Sequence, residues 1–265
     1  MDSSHTHPQS LSPFALFREI LPSHVSLKPD ATAYTFLKDD KEALYISYLE
    51  LDLASSRIAT ELLKRGGDGG NVLLLFPPGI DFIKAFVGCA LAGFPSVPLS
   101  IPRARQSLSG LEKIANDCGA KVVLCTQAVS GILKSRIPKG SLLDRLVWIN
   151  VDELDDSEQA FFTVPPSQYS FPVFLQYTSG STGTPKGVVV SSENLLHNLR
   201  NIASIFCYAE GSKVVSWLPH FHDMGLVGVI LTALYAGVPC ILLSPNDFVQ
   251  NPYRWLKAIS DYGGT

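Results

Sequence analysis

The sequence predicts an α/β protein with two subdomains, each a layered and mostly parallel sheet with helices on both faces. Three observations predict this fold. Short apolar segments typical of buried strands alternate with longer segments of helical periodicity. At 265 residues, with 46% hydrophobic and 17% charged residues, the chain can bury a large core. A helix end, a Gly-x-Pro turn and a strand occur twice, at 92–100 and 236–244.

The first half of the chain predicts a hairpin followed by alternating strands and helices. Residues 33–37 and 44–46 form the hairpin, and Ser47 with Glu50 makes a capping box that begins a helix ending at Gly66. The next elements are a strand at 71–76, a buried helix from Asp81, a strand at 97–99, a helix at 111–118, a strand at 122–124, a helix at 128–134 and a strand at 146–149. Strands joined by helical crossovers run in parallel, so this order predicts a parallel sheet.

An acidic segment at 152–159 predicts a surface linker between two halves of the chain. We therefore expect an N-terminal leader at 1–27, a first α/β subdomain at 28–168 and a second at 169–265. The second should contain strands at 173–177, 187–190, 213–217 and 240–243, with helices after Ser191 or Ser192, at 224–236 and after Asn251. No strand follows the last helix, so we expect this subdomain to be incomplete and the sequence to be an N-terminal piece of a longer protein.

The strongest functional signal is the segment 177–188, Tyr-Thr-Ser-Gly-Ser-Thr-Gly-Thr-Pro-Lys-Gly-Val, between two predicted strands. Its glycines, Gly180, Gly183 and Gly187, allow positive φ and close approach to an anion, and its hydroxyls are hydrogen-bond donors. Lys186 adds a positive charge. The segment is not a Walker A loop, which needs Gly-Lys-Ser/Thr. A polyphosphate-binding loop is the favoured interpretation, and a flexible surface loop is the alternative.

A second segment, 217–225, places His220, His222 and Asp223 in a turn between a strand and an apolar helix. Three interpretations are open: a turn that contacts substrate through His222, a purely structural turn, and a metal site. Two histidines spaced by two share one side only in extended backbone, where Asp223 would point away. A metal site would therefore need ligands from elsewhere in the chain.

Composition excludes several other classes of protein. The net charge of -3 provides no basic field, so nucleic acid is not expected as a partner. Five cysteines without a Cys-x-x-Cys pair predict buried thiols in a reducing compartment. Residues 1–12 contain no secretory signal, which predicts a cytoplasmic protein. The apolar runs at 85–102 and 224–246 are interrupted by Gly-x-Pro, so no membrane span is expected.

Together, the two segments resemble the adenylate-forming superfamily, which includes acyl-CoA synthetases, luciferases, peptide-synthetase adenylation domains and fatty acyl-AMP ligases. Segment 177–188 resembles the phosphate-binding signature, and the turn resembles the aromatic/histidine motif, with His222 at the family's histidine position. The form Leu-Pro-x-x-His-Asp-Met-Gly-Leu at 218–226, together with Phe-Pro-Pro-Gly at 76–79, is most similar to the fatty acyl-AMP ligases. Residues 96–102 lack the tyrosine often found there in that family.

The resemblance implies the activation of a medium- or long-chain fatty acid by ATP and Mg²⁺, with transfer of the acyl group to an acyl carrier protein or polyketide synthase. It implies ATP contacts from Thr178, Ser179, Gly180, Ser181, Thr182, Gly183, Thr184 and Lys186. It implies a catalytic role for Lys186 and His222 and a substrate-contacting turn of His222, Asp223, Met224 and Gly225. No metal ligand is assigned.

The resemblance also implies that the magnesium-binding glutamate, the ribose-binding aspartate and the mobile C-terminal lysine of the family would follow Thr265. Residues 1–265 alone should then be inactive. Three alternatives remain: an acyl-CoA synthetase with coenzyme A as acceptor, a non-catalytic module that binds nucleotide or a partner, and a metal-dependent hydrolase that uses His220 and His222.

Overall fold

A computed structural model of the chain describes residues 14–38, 43–67, 69–155, 172–178 and 185–265. It confirms the predicted α/β fold. The strands are β1 (Thr32–Leu37), β2 (Ala43–Ser47), β3 (Asn71–Leu75), β4 (Ser96–Leu99), β5 (Ala120–Cys125), β6 (Val147–Asn150), β7 (Pro172–Thr178), β8 (Lys186–Ser191), β9 (Val214–Ser216) and β10 (Cys240–Leu243).

The helices cover the sheets and connect most of the strands. They are α1 (Ile20–Leu27), α2 (Tyr48–Arg65), α3 (Ile80–Ala92), α4 (Ser109–Asp117), α5 (Gln127–Lys134), α6 (Leu142–Arg145), α7 (Ser192–Ile205), α8 (Asp223–Gly225), α9 (Thr232–Ala236), α10 (Pro245–Gln250) and α11 (Tyr253–Tyr262). A π-helix, Leu226–Leu231, joins α8 to α9, and short 3₁₀ helices lie at Phe17–Glu19 and Val151–Glu153. None of the helices within the described ranges is long and apolar enough to cross a membrane.

The strands form two sheets, with the orders β2-β1-β10-β9 and β6-β5-β3-β4-β7-β8. The pairs β1/β2 and β7/β8 are antiparallel, whereas the other pairs are parallel. Each sheet takes strands from both sides of residue 168. The predicted boundary at 168 therefore does not separate the two sheets, and the division into subdomains 28–168 and 169–265 remains a prediction.

The apolar strands are buried on both faces of the larger sheet. In β3, Val72 and Leu74 belong to the large core that also contains α2 and α3, whereas Leu73 and Leu75 belong to a second cluster under α4 and α5. Successive side chains of a strand point to opposite faces, so a strand that is covered twice needs apolar residues at every position. This explains why β3 is a continuous apolar run.

Part of the segment predicted as an N-terminal leader packs into the core. Phe17, Ile20 and Leu21 are buried. His24 Nε2 lies 2.8 Å from the carbonyl oxygen of Leu234 near the end of α9, so α1 contacts the C-terminus of that helix. Residues 1–13 and 156–171, which include the second half of the acidic linker predicted at 152–159, lie outside the described residues.

The buried-thiol prediction is confirmed at four cysteines and is wrong at the fifth. Cys89, Cys118, Cys125 and Cys240 are buried, whereas Cys207 is exposed. Cys207 follows α7 in a turn with φ 52°, a left-handed conformation that brings the chain out of the helix before β9.

Candidate functional site

The predicted phosphate loop connects the two strands of an edge hairpin. β7 and β8 pair with Thr178 opposite Lys186, and both residues are exposed at the open end of the hairpin. Lys186 makes no ion pair with any residue that the structure describes. The predicted loop residues between them, Ser179, Gly180, Ser181, Thr182, Gly183 and Thr184, lie outside the described residues, and their phosphate contacts stay predictions.

Tyr177 fixes the outer face of this hairpin. Its hydroxyl donates a hydrogen bond to the carboxylate of Asp117 at the end of α4, and burial raises the pKa of the phenol. The ring covers Gly187, where an added Cβ would lie 2.8 Å from two ring carbons. Gly187 is an extended strand residue without positive φ, so the conformational freedom expected of it is not used, and its approach to an anion stays a prediction. Glycine is needed there because the tyrosine ring occupies the space of a side chain.

The histidine turn occupies residues 217–222, between β9 and α8. The N–H of His222 donates to the carbonyl of Pro219 (3.1 Å), and the N–H of Leu226 donates to the carbonyl of His222 (2.7 Å), which leads the chain into the helix. Gly225 packs directly against this turn, since a Cβ at Gly225 would lie 2.1 Å from the carbonyl oxygen of Pro219. Among the four residues predicted to form the substrate turn, Gly225 therefore supports the backbone, whereas Met224 is exposed.

The two histidines have opposite environments. His220 is 5% exposed, and its ring centroid lies 4.3 Å from that of Phe82. Burial lowers the pKa of His220 to about 4, against a smaller opposing contribution from the backbone of Phe76. The ring is therefore neutral at pH 7 and belongs to the core. His222 is 64% exposed, so it is the histidine of this turn that can contact a ligand.

Asp223 lies against His222, which corrects the expectation that it would point away. Its Oδ1 is 2.5 Å from Nδ1 of His222 and also accepts the N–H of Met224 (2.7 Å). The helix begins at Asp223, so the backbone is no longer extended and the carboxylate turns back toward the imidazole. Because Asp223 engages Nδ1, Nε2 of His222 is the ring atom that remains for a ligand.

The donors at the site suit an anionic ligand. Lys186 supplies a positive charge and Thr178 a hydroxyl, both of which bind phosphate oxygens. Within the described ranges, no group of three His, Cys, Asp or Glu side chains could hold a metal ion. Mg²⁺ is commonly held by one or two carboxylates together with substrate phosphates, so a magnesium ion would enter this site with a polyphosphate.

One hydrogen bond joins the hairpin to the histidine turn. Nε2 of Gln176, on β7, donates to the carbonyl of Phe221 at 3.1 Å. Thr178, on β7, and His222, in the histidine turn, therefore lie on two segments that contact each other. Gln176 is not among the predicted site residues, although the sequence contains a signal for it, since it is a polar residue on the same face of β7 as the buried Phe174.

Comparison with known proteins defines the family. The family model described as AMP-binding enzyme matches residues 21–265, so the chain belongs to this family. The medium-chain-fatty-acid acyl-carrier-protein ligase JamA of Moorena producens is 38% identical over 87% of this chain and 40% of its own length. The long-chain-fatty-acid AMP ligase FadD23 of Mycobacterium tuberculosis is 31% identical over 90% of this chain and 43% of its own length. The chain thus spans about two fifths of these curated relatives.

A solved structure shows the same fold. The crystal structure of a fatty acyl-adenylate ligase from L. pneumophila, in complex with acyl adenylate and pyrophosphate, matches with a TM-score of 0.87 and 33% identity. The match covers 98% of this chain and 45% of that protein. These comparisons confirm the predicted resemblance to the adenylate-forming enzymes and, within them, to the fatty acyl-AMP ligases.

Proposed function

We propose that the protein activates a medium- or long-chain fatty acid with ATP, giving an acyl-adenylate and pyrophosphate, and passes the acyl group to an acyl carrier protein or polyketide synthase. The observation that carries this proposal is the hydrogen bond between Gln176 and Phe221, because it attaches the hairpin bearing Lys186 to the turn bearing His222. The relatives support the choice of substrate, since their names include fatty-acid AMP ligases and acyl-carrier-protein ligases. Because ATP and carrier proteins are reactants of the cytoplasm, we also propose that location.

The reaction needs positioning and charge neutralisation rather than a protein nucleophile. A carboxylate oxygen of the fatty acid bonds to the α-phosphorus of ATP, and the bond from that phosphorus to pyrophosphate breaks. Lys186 and the hydroxyl of Thr178 would neutralise and bind the departing pyrophosphate. Bound Mg²⁺ would add positive charge at the same oxygens. His222, held by Asp223, would orient the carboxylate or the adenylate through Nε2.

Substitution of Lys186 tests the phosphate assignment. In the longest gene product that contains this chain, Lys186→Ala should reduce fatty-acid-dependent exchange of labelled pyrophosphate into ATP by about 100-fold, because one charge on the leaving group is lost. Lys139→Ala is the matched control, since Lys139 is also an exposed lysine but lies in the turn between α5 and α6. Exchange that is equal in the two variants would contradict the assignment.

The acceptor is tested separately, because the acyl-CoA synthetase alternative shares the first half-reaction. Preformed acyl-adenylate is offered coenzyme A and a phosphopantetheinylated carrier protein in parallel, and the thioester products are identified by mass spectrometry. We expect acyl carrier protein to be loaded. Formation of acyl-CoA alone would favour the synthetase, and ATP binding without any turnover would favour a non-catalytic module.

A further inference from the structure

Gln176 is a polar side chain in an apolar row. Phe174, two residues earlier on the same face of β7, is 1% exposed and packs against Phe86 with ring centroids 5.8 Å apart. The amide of Gln176 turns from this row toward the histidine turn, where Nε2 donates to the carbonyl of Phe221. A carbonyl oxygen only accepts, so the orientation of the amide is fixed by this bond.

The contacted carbonyl controls the position of His222. The carbonyl of Phe221 and the N–H of His222 belong to the same planar peptide unit. Gln176 holds the oxygen of that unit, and Pro219 accepts its N–H at 3.1 Å. With both ends of the peptide fixed, the direction in which the next side chain, His222, leaves the backbone is also fixed.

Stability does not account for a glutamine at this position. Oε1 of Gln176 is buried without a hydrogen-bond partner among the described residues. A buried acceptor without a partner is unfavourable, and an apolar side chain of similar shape would remove it. The hydrogen bond to Phe221 is therefore the contact that a glutamine provides here and an apolar residue would not.

We propose that Gln176 is a positioning residue that couples the phosphate-binding hairpin to His222. β7 continues from Gln176 directly into Thr178 at the open end of the hairpin, so a ligand that binds Thr178 also acts on the peptide that directs His222. The coupling positions the two reactants, nucleotide and carboxylate, relative to each other. This inference rests on the proposed function, and its test distinguishes the two.

The chain offers a matched control on the opposite face of the same strand. Tyr177, the next residue, bonds to Asp117 on the outer side of the sheet, away from the histidine turn. Asp117→Asn weakens that bond and disturbs the hairpin, but it leaves the contact with Phe221 intact. Gln176→Met removes the donor to Phe221 while keeping the length of the side chain, and it should fold because it also removes the unpartnered oxygen.

A double-mutant cycle in the longest gene product that contains this chain tests the coupling. Gln176→Met should lower kcat of fatty-acid-dependent pyrophosphate exchange about tenfold and leave KM for ATP within about threefold. If Gln176 acts through His222, adding Gln176→Met to His222→Ala should lower kcat by less than about a further twofold. The losses in kcat from Asp117→Asn and His222→Ala should instead multiply when the two substitutions are combined. If kcat of the double variant Gln176→Met, His222→Ala fell by the product of the two single losses, the proposal would be overturned.

A second measurement does not depend on activity. In the 265-residue chain, amide hydrogen exchange of the His222 N–H reports the bond to Pro219. We expect it to be at least about tenfold faster in Gln176→Met and within about twofold of the original chain in Asp117→Asn. An unchanged rate in Gln176→Met would refute the positioning role. Absence of pyrophosphate exchange in the unsubstituted protein would instead refute the proposed function, whatever the amide shows.

Discussion

Two strand–helix–strand units of this protein are built alike but differ in what they expose at the surface. The first runs from β3 through α3 to β4 in the larger sheet, and the second runs from β9 through α8, the π-helix and α9 to β10 in the smaller sheet. In both units the two strands are adjacent and parallel. The first unit is buried, whereas the second presents His222 at the surface.

The ends of the two helices agree in detail. Gly93 and Gly237 both adopt left-handed φ, at 77° and 67°, and end their helices. The carbonyls of Pro95 and Pro239 then accept an N–H near the start of the neighbouring strand, from Val72 at 2.9 Å and Val214 at 3.0 Å. The repeat recognised in the sequence is therefore a repeat of structure, and it places each returning strand beside the strand that preceded the helix.

The units differ where the strand enters the helix. The first has a short Phe-Pro-Pro-Gly connection at 76–79, whereas the second has a longer one at 217–222 that ends in His222. The helix of the second unit also widens to a π-helix at Leu226–Leu231, a feature that often occurs near functional sites. In both units the common frame positions the start of a helix, and the units differ in the length and residues of the loop that precedes it.

The largest expected effect comes from filling the space behind the histidine turn. Gly225→Ala places a Cβ 2.1 Å from the carbonyl oxygen of Pro219, where backbone cannot easily give way. We expect the free energy of unfolding to fall by about 3 kcal/mol, measured by urea denaturation.

Gly228→Ala is the control for this change. Gly228 lies in the π-helix with open space around its Cβ position, so alanine there should change stability by less than about 1 kcal/mol. If both alanines had the same effect, the loss would come from the helix backbone and not from the turn.

A smaller effect is the pH dependence of stability that the buried His220 causes. His220 has a pKa of about 4 in the folded chain, below its ordinary value of 6.5. Between these values the unfolded chain binds a proton that the folded chain does not, so stability falls as the pH falls from about 6.5 to about 4. Between pH 7 and pH 4.5 the contribution of His220 to this loss is about 2 kcal/mol.

His220→Phe removes this dependence at one site. The difference in unfolding free energy between His220→Phe and the unsubstituted chain should grow toward acid, because other titrating groups, including the buried His24, cancel between the two proteins. Urea denaturation at pH 7 and at pH 4.5 measures this difference. A difference that stays constant with pH would show that folding does not lower the pKa of His220.

Local patterns predicted the elements better than their assembly. The strands β3 and β5 were predictable because each contains an uninterrupted apolar run, 72–75 and 122–125, and α2 because Ser47 and Glu50 form the predicted capping box. The division of the strands between the two sheets was not predictable. Tyr34 of β1 pairs with Cys240 of β10, and no local signal specifies a partner so distant in the sequence. Helix α1 was missed because it contains a proline and its apolar residues pack against several elements.

The candidate site shows the same limit. Lys186 and His222 were predictable because their segments have a distinctive composition, and the structure places both at exposed ends of elements. The contact between Gln176 and Phe221 was not predictable, because any residue can supply the accepting carbonyl. The environments of His220 and His222 were equally hidden, since their spacing does not tell which ring enters the core.

The smallest effect compares the two helix ends directly. Both Gly93→Ala and Gly237→Ala force a side chain into left-handed φ, which costs about 1 kcal/mol. Around Gly93 the space is open, but a Cβ at Gly237 would lie 2.6 Å from Cε1 of His24 and 3.0 Å from Nζ of Lys28. We therefore expect Gly237→Ala to lose about 1 kcal/mol more than Gly93→Ala in urea denaturation.

The additional loss should depend on α1, because Lys28 donates to the carbonyl of Gly237 and His24 contacts that of Leu234 at the end of the same helix. With Lys28→Ala in the background, the contact with Nζ disappears and the two glycine substitutions should become more nearly equal. If Gly237→Ala still lost as much more than Gly93→Ala in the Lys28→Ala background, the additional loss would come from the contact with His24. No difference in the unsubstituted background would mean that α1 moves aside, and that the second unit, like the first, ends without support from the N-terminal segment.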